Sequence, residues 1–340
     1  MRTVLIKLFV LLAMGMLAGG CHPRITLLGD TAADPLKEYV LEGRRAGLGS
    51  GPGSGKVLVI PIRGFIGLGA HQGLLRSRPG VVQEVTAMLR KARKDTSVKA
   101  VVLAIDSPGG AVADTDMLYR ELMDFKAASG AKIVAQAMTV TASGGYYLAL
   151  SADDIAATPA SVVGSVGTVF ISPKVAGLMG KIGVEAEVTK SGALKDMGSP
   201  FRPSTEEERR LAQEMIDQMN AMFQGLLART RTLDAARLAE VARAGVYTGQ
   251  GALDMGLVDR LGYLPDALAR ARELAGLPKD AAVVVYRRSK YHDDTYYNSA
   301  SGEWGGDSPR MLDLGLDNLG LGMRAGFYFL WPPAMAGLGQ

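Results

Sequence analysis

The chain has 340 residues, of which 48% are hydrophobic and 21% charged, a balance typical of a folded protein with a sizeable core. The net charge of +4 is spread along the chain, and no basic run is interleaved with aromatic residues, which argues against nucleic acid as a partner. The single cysteine, Cys21, excludes an internal disulfide framework, and the three histidines lie too far apart for a zinc site. We therefore expect no metal and no cofactor.

The first 20 residues have the pattern of an export signal. Arg2 and Lys7 precede an apolar run that is shorter than a membrane span of about 20 residues but suits the hydrophobic part of a signal peptide. The run ends in small residues before Cys21, which resembles the bacterial lipoprotein signal, although Ala18 stands where that signal usually has leucine. Lipidation of Cys21, an uncleaved anchor and simple secretion are the alternatives.

Apolar runs alternate with amphipathic segments over the middle of the chain. The runs with strand character are Val57–Ile62, Val98–Ile105, Lys132–Ala137 and Val184–Thr189. The segments with helical spacing are Val81–Arg93, Val112–Ala128, Asp234–Ala242 and Pro265–Leu274. This alternation predicts an α/β fold of repeated strand–helix units with a mostly parallel sheet.

A further, longer helix is predicted after residue 203. Ser204 and Glu207 have the spacing of a capping box, which marks a helix start. The apolar face that follows comprises Leu211, Met215, Met219, Met222, Phe223, Leu226 and Leu227. We interpret the methionines on this face as core filling rather than as catalytic groups.

Ser143 stands between strand Lys132–Ala137 and an apolar segment, and two glycines follow it. This arrangement favours a nucleophile at a strand-to-helix turn, where free N–H groups stabilise an oxyanion and glycine lets a substrate approach. The alternative is an ordinary helix N-cap, for which serine is common. Gly109-Gly110 and Ser143-Gly144 both fall at the carboxyl ends of adjacent predicted strands, so one backbone N–H from each loop could converge on one oxygen, as an oxyanion hole requires.

The base that would activate Ser143 is not close to it in sequence. His22, His71 and His292 lie in irregular or glycine-rich segments, which makes each a poor candidate. An amine can act as the base only where burial lowers its pKa toward about 7–8. Lys195, in the uncharged run Ser-Gly-Ala-Leu-Lys, is the candidate, and the alternative is an ordinary solvated lysine.

Several segments, in one order, carry a resemblance to a known family. They are Val98–Leu103, Asp106–Gly110, Ala142–Tyr147, Gly164–Gly167, Lys190–Pro200, Tyr247–Gly249 and Gly256–Asp259. Together they resemble the signal peptide peptidase A (SppA) family of membrane-associated serine proteases, over roughly Lys56 to Leu277.

The resemblance implies a ClpP/crotonase-like fold and a Ser/Lys dyad. By motif, Ser143 is the expected nucleophile and Lys195 the expected general base. Ser165 matches a serine that orients the lysine, and the backbone N–H groups of Gly110 and Gly144 match the oxyanion hole.

The expected organisation has four parts. They are a signal peptide or membrane anchor over residues 1–20, a flexible Gly/Ser-rich linker over 21–55, an SppA-like peptidase domain over 56–277 and a C-terminal extension over 278–340. The chain departs from the family at Arg243-Ala244-Gly245, where the family usually has Asp-Gly-Arg. We expect this departure to change packing or an interface rather than the chemistry.

The resemblance also implies substrates, location and assembly. We expect hydrolysis of cleaved signal peptides and other short apolar peptides at the membrane of the bacterial cell envelope, with the catalytic domain outside the cytoplasm. Single-copy members of the family form rings or domes in which one subunit's serine meets a neighbour's lysine, so we expect a homo-oligomer. The competing functions are an acyl-CoA hydratase or isomerase, which would need acidic residues near the oxyanion hole, and a non-catalytic membrane scaffold.

The segment Ala325–Pro333 near the carboxyl end is a dense apolar cluster. Such a cluster is not expected to remain free in water. Three placements are open: it packs on the subunit surface, contacts lipid, or lies in a substrate groove as a self-inhibitor.

Overall fold

The computed structural model describes residues 35–43, 55–69, 71–72, 77–288 and 326–331. The expected signal peptide and the lipidation candidate Cys21 lie outside these residues. The described helices are α1 (Val81–Arg93), α2 (Val112–Ser129), α3 (Gly144–Ala149), α4 (Ala176–Lys181), α5 (Glu206–Thr230), α6 (Ala235–Val241), α7 (Gly249–Asp254) and α8 (Leu264–Leu274).

The described strands are β1 (Lys37–Glu42), β2 (Lys56–Arg63), β3 (His71–Gln72), β4 (Ser77–Arg78), β5 (Val98–Ser107), β6 (Gly109–Ala111), β7 (Lys132–Ala142), β8 (Asp154–Ala157), β9 (Val162–Gly164), β10 (Val169–Ile171), β11 (Val246–Thr248), β12 (Arg260–Leu261), β13 (Val283–Arg287) and β14 (Gly326–Leu330).

The main sheet has the order β1-β13-β2-β5-β7-β8-β12. Strand β9 also pairs with β7, on the same edge as β8, and β11 pairs with β9. Neighbouring strands from β13 to β12 run parallel, as do β7 and β9, whereas β1 and β11 are antiparallel to their partners. The prediction of an α/β fold with a mostly parallel sheet is therefore confirmed. A second sheet has the order β10-β14-β6 and is antiparallel throughout.

The two faces of the central strands are buried against different helices. Leu58 and Ile60 of β2 belong to a core cluster that includes the apolar faces of α1 and α2. Val57 and Val59, one residue out of phase, belong to a second cluster with the inward face of α8. Because side chains alternate across a strand, a continuous apolar run is what a sheet covered on both faces requires.

Three local predictions on this scaffold are wrong. Val184–Thr189 is exposed and forms no strand, since no neighbouring strand lies beside it among the described residues. The long helix starts one residue later than predicted: Thr205 and Glu208 form the capping box, with the Thr205 hydroxyl accepting from the Glu208 N–H at 3.2 Å. Met222 is exposed rather than core filling, whereas Phe223 is fully buried.

Two strands of the main sheet come from the expected linker and the expected C-terminal extension, for which no strand is predicted. β1 lies within residues 21–55, the expected linker, and β13 lies in the expected C-terminal extension. They pair with each other, and β13 also pairs with β2. Both regions thus contribute strands to the main sheet.

Candidate active site

Ser143 occupies a strained turn between β7 and α3. Its backbone has φ 52° and ψ −115°, a conformation that non-glycine residues rarely adopt and that costs on the order of 1–3 kcal/mol. Its side chain makes no capping hydrogen bond to α3, and its hydroxyl donates to the Gly167 carbonyl oxygen at 3.4 Å. Ser143 therefore occupies the N-cap position of α3, but its side chain does not cap the helix.

The loop at Gly109 and Gly110 lies directly against the start of α3. A Cβ atom on Gly109 would come within 2.8 Å of the Gly144 nitrogen, and Gly109 itself has φ 106°. A Cβ on Gly110 would lie 1.9 Å from the Ile66 carbonyl oxygen. A side chain at Gly109 would thus clash with the start of α3, and one at Gly110 would clash with the backbone at Ile66.

The direction of the Gly110 N–H follows from its neighbours. The Ile66 N–H donates to the Gly109 carbonyl at 2.9 Å, and the Ala111 N–H donates to the Ile66 carbonyl at 3.1 Å. Because backbone groups alternate sides along a strand, the N–H of Gly110 faces away from Ile66. The N–H of Gly144 is at the first position of α3, where it has no partner within the helix.

Ser165 lies beside Ser143. Strands β7 and β9 run parallel with Ala142 opposite Gly164, so the two serines follow directly from paired residues. Ser165 is buried, has φ 53°, and its N–H donates to the Gly245 carbonyl at 2.7 Å.

Lys195 is not assembled with the two serines in the single chain. It is exposed, and it lies in the run of turns between α4 and α5. In the part of the chain that the structure describes, no hydrogen bond or ion pair joins its amine to Ser143 or Ser165. Of the alternative bases, His22 and His292 lie outside the described residues, and His71 is described only as backbone in β3.

The segment that carries Lys195 is held by a charged network beginning at its neighbour Asp196. Asp196 accepts hydrogen bonds from Lys190 at 2.7 Å and from the Arg202 Nε at 2.8 Å. Arg202 also donates to Glu208, the capping residue of α5, at 3.0 Å. Hydrogen bonds from Arg202 lower the pKa of both carboxyls below their ordinary range. Sequence reasoning missed this network, although Asp196 and Lys190 lie within the SppA-like segment.

An aromatic cluster lies behind Ser143. The ring of Tyr147, on α3, has edge contacts with Tyr119 at 5.3 Å and Phe223 at 5.0 Å between centroids, and it stacks on Phe329 of β14 at 5.2 Å. Burial, followed by the hydrogen bond that its hydroxyl donates to Asp116, raises the pKa of Tyr147. The placement of Phe329 here was left open by the sequence.

Comparison with known proteins decides the family. The sequence model of peptidase family S49 matches residues 126–278. A protein of Enterococcus faecium that bears the name signal peptide peptidase SppA is 32% identical over 240 residues, which are 71% of this chain and 69% of that relative. The chain belongs to peptidase family S49. Protease 4 of Salmonella typhi is also similar to this S49 chain, with 31% identity over 239 residues that cover 70% of the chain and 35% of that longer relative.

Membership of family S49 makes the protein a serine peptidase and confirms the resemblance to SppA. The parallel sheet flanked by helices agrees with the expected ClpP/crotonase-like fold. The alternatives of an acyl-CoA hydratase or isomerase and of a non-catalytic scaffold are therefore wrong. Among the described residues, no helix is both long and apolar enough to cross a membrane.

Proposed function

We propose that this S49 peptidase cleaves short apolar peptides, including cleaved signal peptides, with a dyad of Ser143 and Lys195. The observation that carries the proposal is the state of Ser143. It is buried at a strained turn, its side chain makes no capping hydrogen bond, and it follows β7 beside the loop at Gly109 and Gly110. Backbone strain of this kind concentrates at functional sites.

The chemistry would proceed through an acyl-enzyme. The amine of Lys195 takes the proton of the Ser143 hydroxyl as the oxygen attacks a peptide carbonyl carbon. The tetrahedral oxyanion is stabilised by the N–H groups of Gly110 and Gly144, and loss of one such donor typically costs about 10²–10³ in rate. Collapse expels the amine product, which takes up the proton, and water then hydrolyses the ester. In this scheme Ser165 orients the lysine.

A second copy of the chain would complete the site. The segment from α4 to residue 201 presents several exposed apolar side chains, a feature typical of interaction surfaces: Leu178, Ile182, Val184, Val188, Leu194 and Phe201. Lys195 lies on this segment and is itself exposed, whereas an amine acts as a base near neutral pH only when it is shielded from water. Docking of this segment on a neighbouring subunit of a homo-oligomer would bury these apolar side chains and would shield the amine of Lys195 from water.

We place the enzyme at the bacterial cell envelope, with its catalytic domain outside the cytoplasm. The apolar run within residues 1–20 and the small residues before Cys21 support attachment through an anchor or a lipid. The name signal peptide peptidase SppA, borne by the Enterococcus faecium relative, supports signal peptides as the substrate class.

Labelling with a serine-reactive phosphonate tests the dyad. We expect the full-length protein to be labelled at Ser143, the Ser143→Ala variant to remain unlabelled, and the Lys195→Ala variant to be labelled at least about 10²-fold more slowly. Labelling that persists in Ser143→Ala would identify another nucleophile. Unchanged labelling in Lys195→Ala would show that another group is the base.

A further inference from the structure

Residues 190–200, the segment that carries Lys195, form neither a helix nor a strand. They lie in the run of turns between α4 and α5, in which the Lys195 N–H donates to the Gly192 carbonyl at 3.1 Å. A general base must lie within about 2.6–3.2 Å of the group whose proton it takes. A segment without regular structure therefore needs contacts with the rest of the subunit to hold its base in place.

Arg202 supplies one of these contacts. Its guanidinium binds the Asp196 carboxylate through two nitrogens, with Nε donating to Oδ2 at 2.8 Å and Nη2 donating to Oδ1 at 2.7 Å. Its Nη1 donates to Glu208 and to the Pro203 carbonyl, both at 3.0 Å, and Nη2 also donates to Glu208. These bonds use all five N–H donors of the guanidinium, in a planar fork that a lysine ammonium does not have.

Glu208 connects this arrangement to a long helix. It lies in the first turn of α5, its side chain is buried, and it accepts from the N–H of the N-cap residue Thr205 at 2.9 Å. Further along α5, Phe223 is fully buried in the core. Arg202 therefore joins the residue next to Lys195 to a helix that is anchored in the core.

A second attachment lies further from the base. The Gly198 carbonyl accepts from the Ser172 hydroxyl at 3.0 Å, and the Pro200 carbonyl accepts from the Val175 N–H at 2.7 Å. Both donors lie in the chain that follows β10. These bonds hold the end of the segment, whereas the bond of Arg202 to Asp196 is one residue from Lys195.

The network also determines what Asp196 binds. Its Oδ1 accepts from the Lys190 amine at 2.7 Å as well as from Arg202. Hydrogen bonds from Arg202 and Lys190 lower the pKa of the Asp196 carboxyl, so it is ionised at neutral pH. A lysine that pairs with a carboxylate is held in its charged form and cannot accept a proton. Because Arg202 and Lys190 occupy this carboxylate, the neighbouring amine of Lys195 is left for Ser143.

We propose that Arg202 is the positioning residue of the base: it fastens the backbone beside Lys195 to the start of α5 and keeps the Asp196 carboxylate occupied. Arg202 acts through Lys195 and is not itself catalytic. The inference rests on the proposed function, because it takes Lys195 as the base for Ser143. It holds whether Lys195 serves its own subunit or a neighbour, since Arg202 and Lys195 are joined within one chain.

The rate at which a serine-reactive phosphonate labels Ser143 tests this role in the full-length protein. We expect Arg202→Met to slow labelling at least about 10-fold, since misplacing a catalytic group by about 1 Å can cost about 10²-fold. In the Lys195→Ala background the same substitution should change the rate less than twofold, because no base is left to position. Effects that multiply in the double variant would show that Arg202 does not act through the lysine.

Two other arginine variants separate position from charge. Arg209→Met is the matched control: it removes an arginine from the same turn of α5, whose partner Glu206 is exposed, and the rate should change less than twofold. Arg202→Lys keeps the charge but loses the fork, so its labelling should stay nearly as slow as that of Arg202→Met. Labelling of Arg202→Lys at the wild-type rate would overturn the positioning role.

A further variant and a second readout cover a loss of folding. Melting shows whether Arg202→Met is folded at the assay temperature; if it is not, Glu208→Gln replaces it. This variant keeps an oxygen for the Thr205 N–H but removes a charge that holds Arg202, and it should slow labelling about threefold, only where Lys195 is present. With a peptide substrate, kcat should fall while KM stays within about twofold. A raised KM with unchanged kcat would contradict the inference.

The outcomes separate this inference from the proposed function. If wild type is not labelled at Ser143, or if Lys195→Ala is labelled as fast as wild type, the proposed function fails. If wild type is labelled and Lys195→Ala is slow, but a folded Arg202→Met is labelled at the wild-type rate, only the role of Arg202 is overturned.

Discussion

Ser143 and Ser165 leave two neighbouring parallel strands with nearly the same positive φ angle, 52° and 53°. Both positions follow directly from the paired residues Ala142 and Gly164. A non-glycine residue in this region is strained, so the surrounding structure must hold both turns in place. The Ser143 N–H donates to the Gly164 carbonyl at 2.7 Å, which ties the turn of one serine to the strand that carries the other.

The backbone strain at Ser143 predicts that a variant can gain stability while losing activity. Ser143→Gly should abolish peptide hydrolysis and raise the free energy of unfolding by about 1 kcal/mol, since glycine adopts this conformation freely. Ser143→Ala should abolish hydrolysis without that gain. Thermal melting at one protein concentration compares the three proteins, and a Ser143→Gly variant no more stable than Ser143→Ala would contradict the argument.

A second strained position lies beside the turn of Ser165. Ala244 has φ 59°, and the next residue, Gly245, supplies the carbonyl that accepts the hydrogen bond from the Ser165 N–H. Ala244→Gly should therefore stabilise the protein by roughly 0.5–1 kcal/mol. Ala242→Gly is the control, because Ala242 has φ −62° and glycine there should destabilise instead. Equal melting shifts for the two variants would refute the assignment of strain.

Much of the scaffold could be predicted because its signals are local. Helix Val81–Arg93 begins and ends at the predicted residues, since its apolar face repeats with helical spacing. The proximity of the glycine loop to Ser143 could also be predicted, because β5 and β7 are parallel neighbours whose carboxyl ends share one edge.

The remaining features depend on contacts between distant parts of the chain. Val184–Thr189 has the composition of a strand, but its apolar residues are exposed rather than paired. Conversely, β14 pairs with residues more than 200 positions earlier, and nothing local to Gly326–Leu330 indicates that partner. Lys195 is a further example. Its sequence motif predicts that it is the general base, but the fold of the single chain does not bring its amine to Ser143.

The network at Arg202 predicts a stability difference that depends on pH. The folded pKa values of Asp196 and Glu208 lie below the ordinary values of 3.8 and 4.5, so the stabilisation is present above those values and is lost as pH falls through the folded ones. The melting temperatures of wild type and Arg202→Met should differ by a constant amount from pH 8 to pH 6, and the gap should narrow below about pH 4.

A matched arginine provides the control for this network. Arg209 pairs with Glu206 on the exposed surface of α5, and exposed pairs contribute little to stability. Arg209→Met should therefore melt close to wild type at every pH. A gap for Arg202→Met that is as large at pH 3 as at pH 7 would show that the carboxylates are not its source.

The exposure of Lys195 leads to the prediction that two inactive variants restore each other. If each site takes its serine from one subunit and its lysine from the next, co-expression of Ser143→Ala with Lys195→Ala gives both groups to about a quarter of the sites, since each subunit is drawn with a chance of one half. If both groups come from one subunit, no site is complete and activity stays at the background of the variants. The matched control co-expresses wild type with the double variant: a shared dyad again leaves about a quarter of the sites complete, whereas a dyad within one subunit leaves about half. Peptide hydrolysis per mole of chain distinguishes the two arrangements, and background activity in the first mixture would refute the shared site.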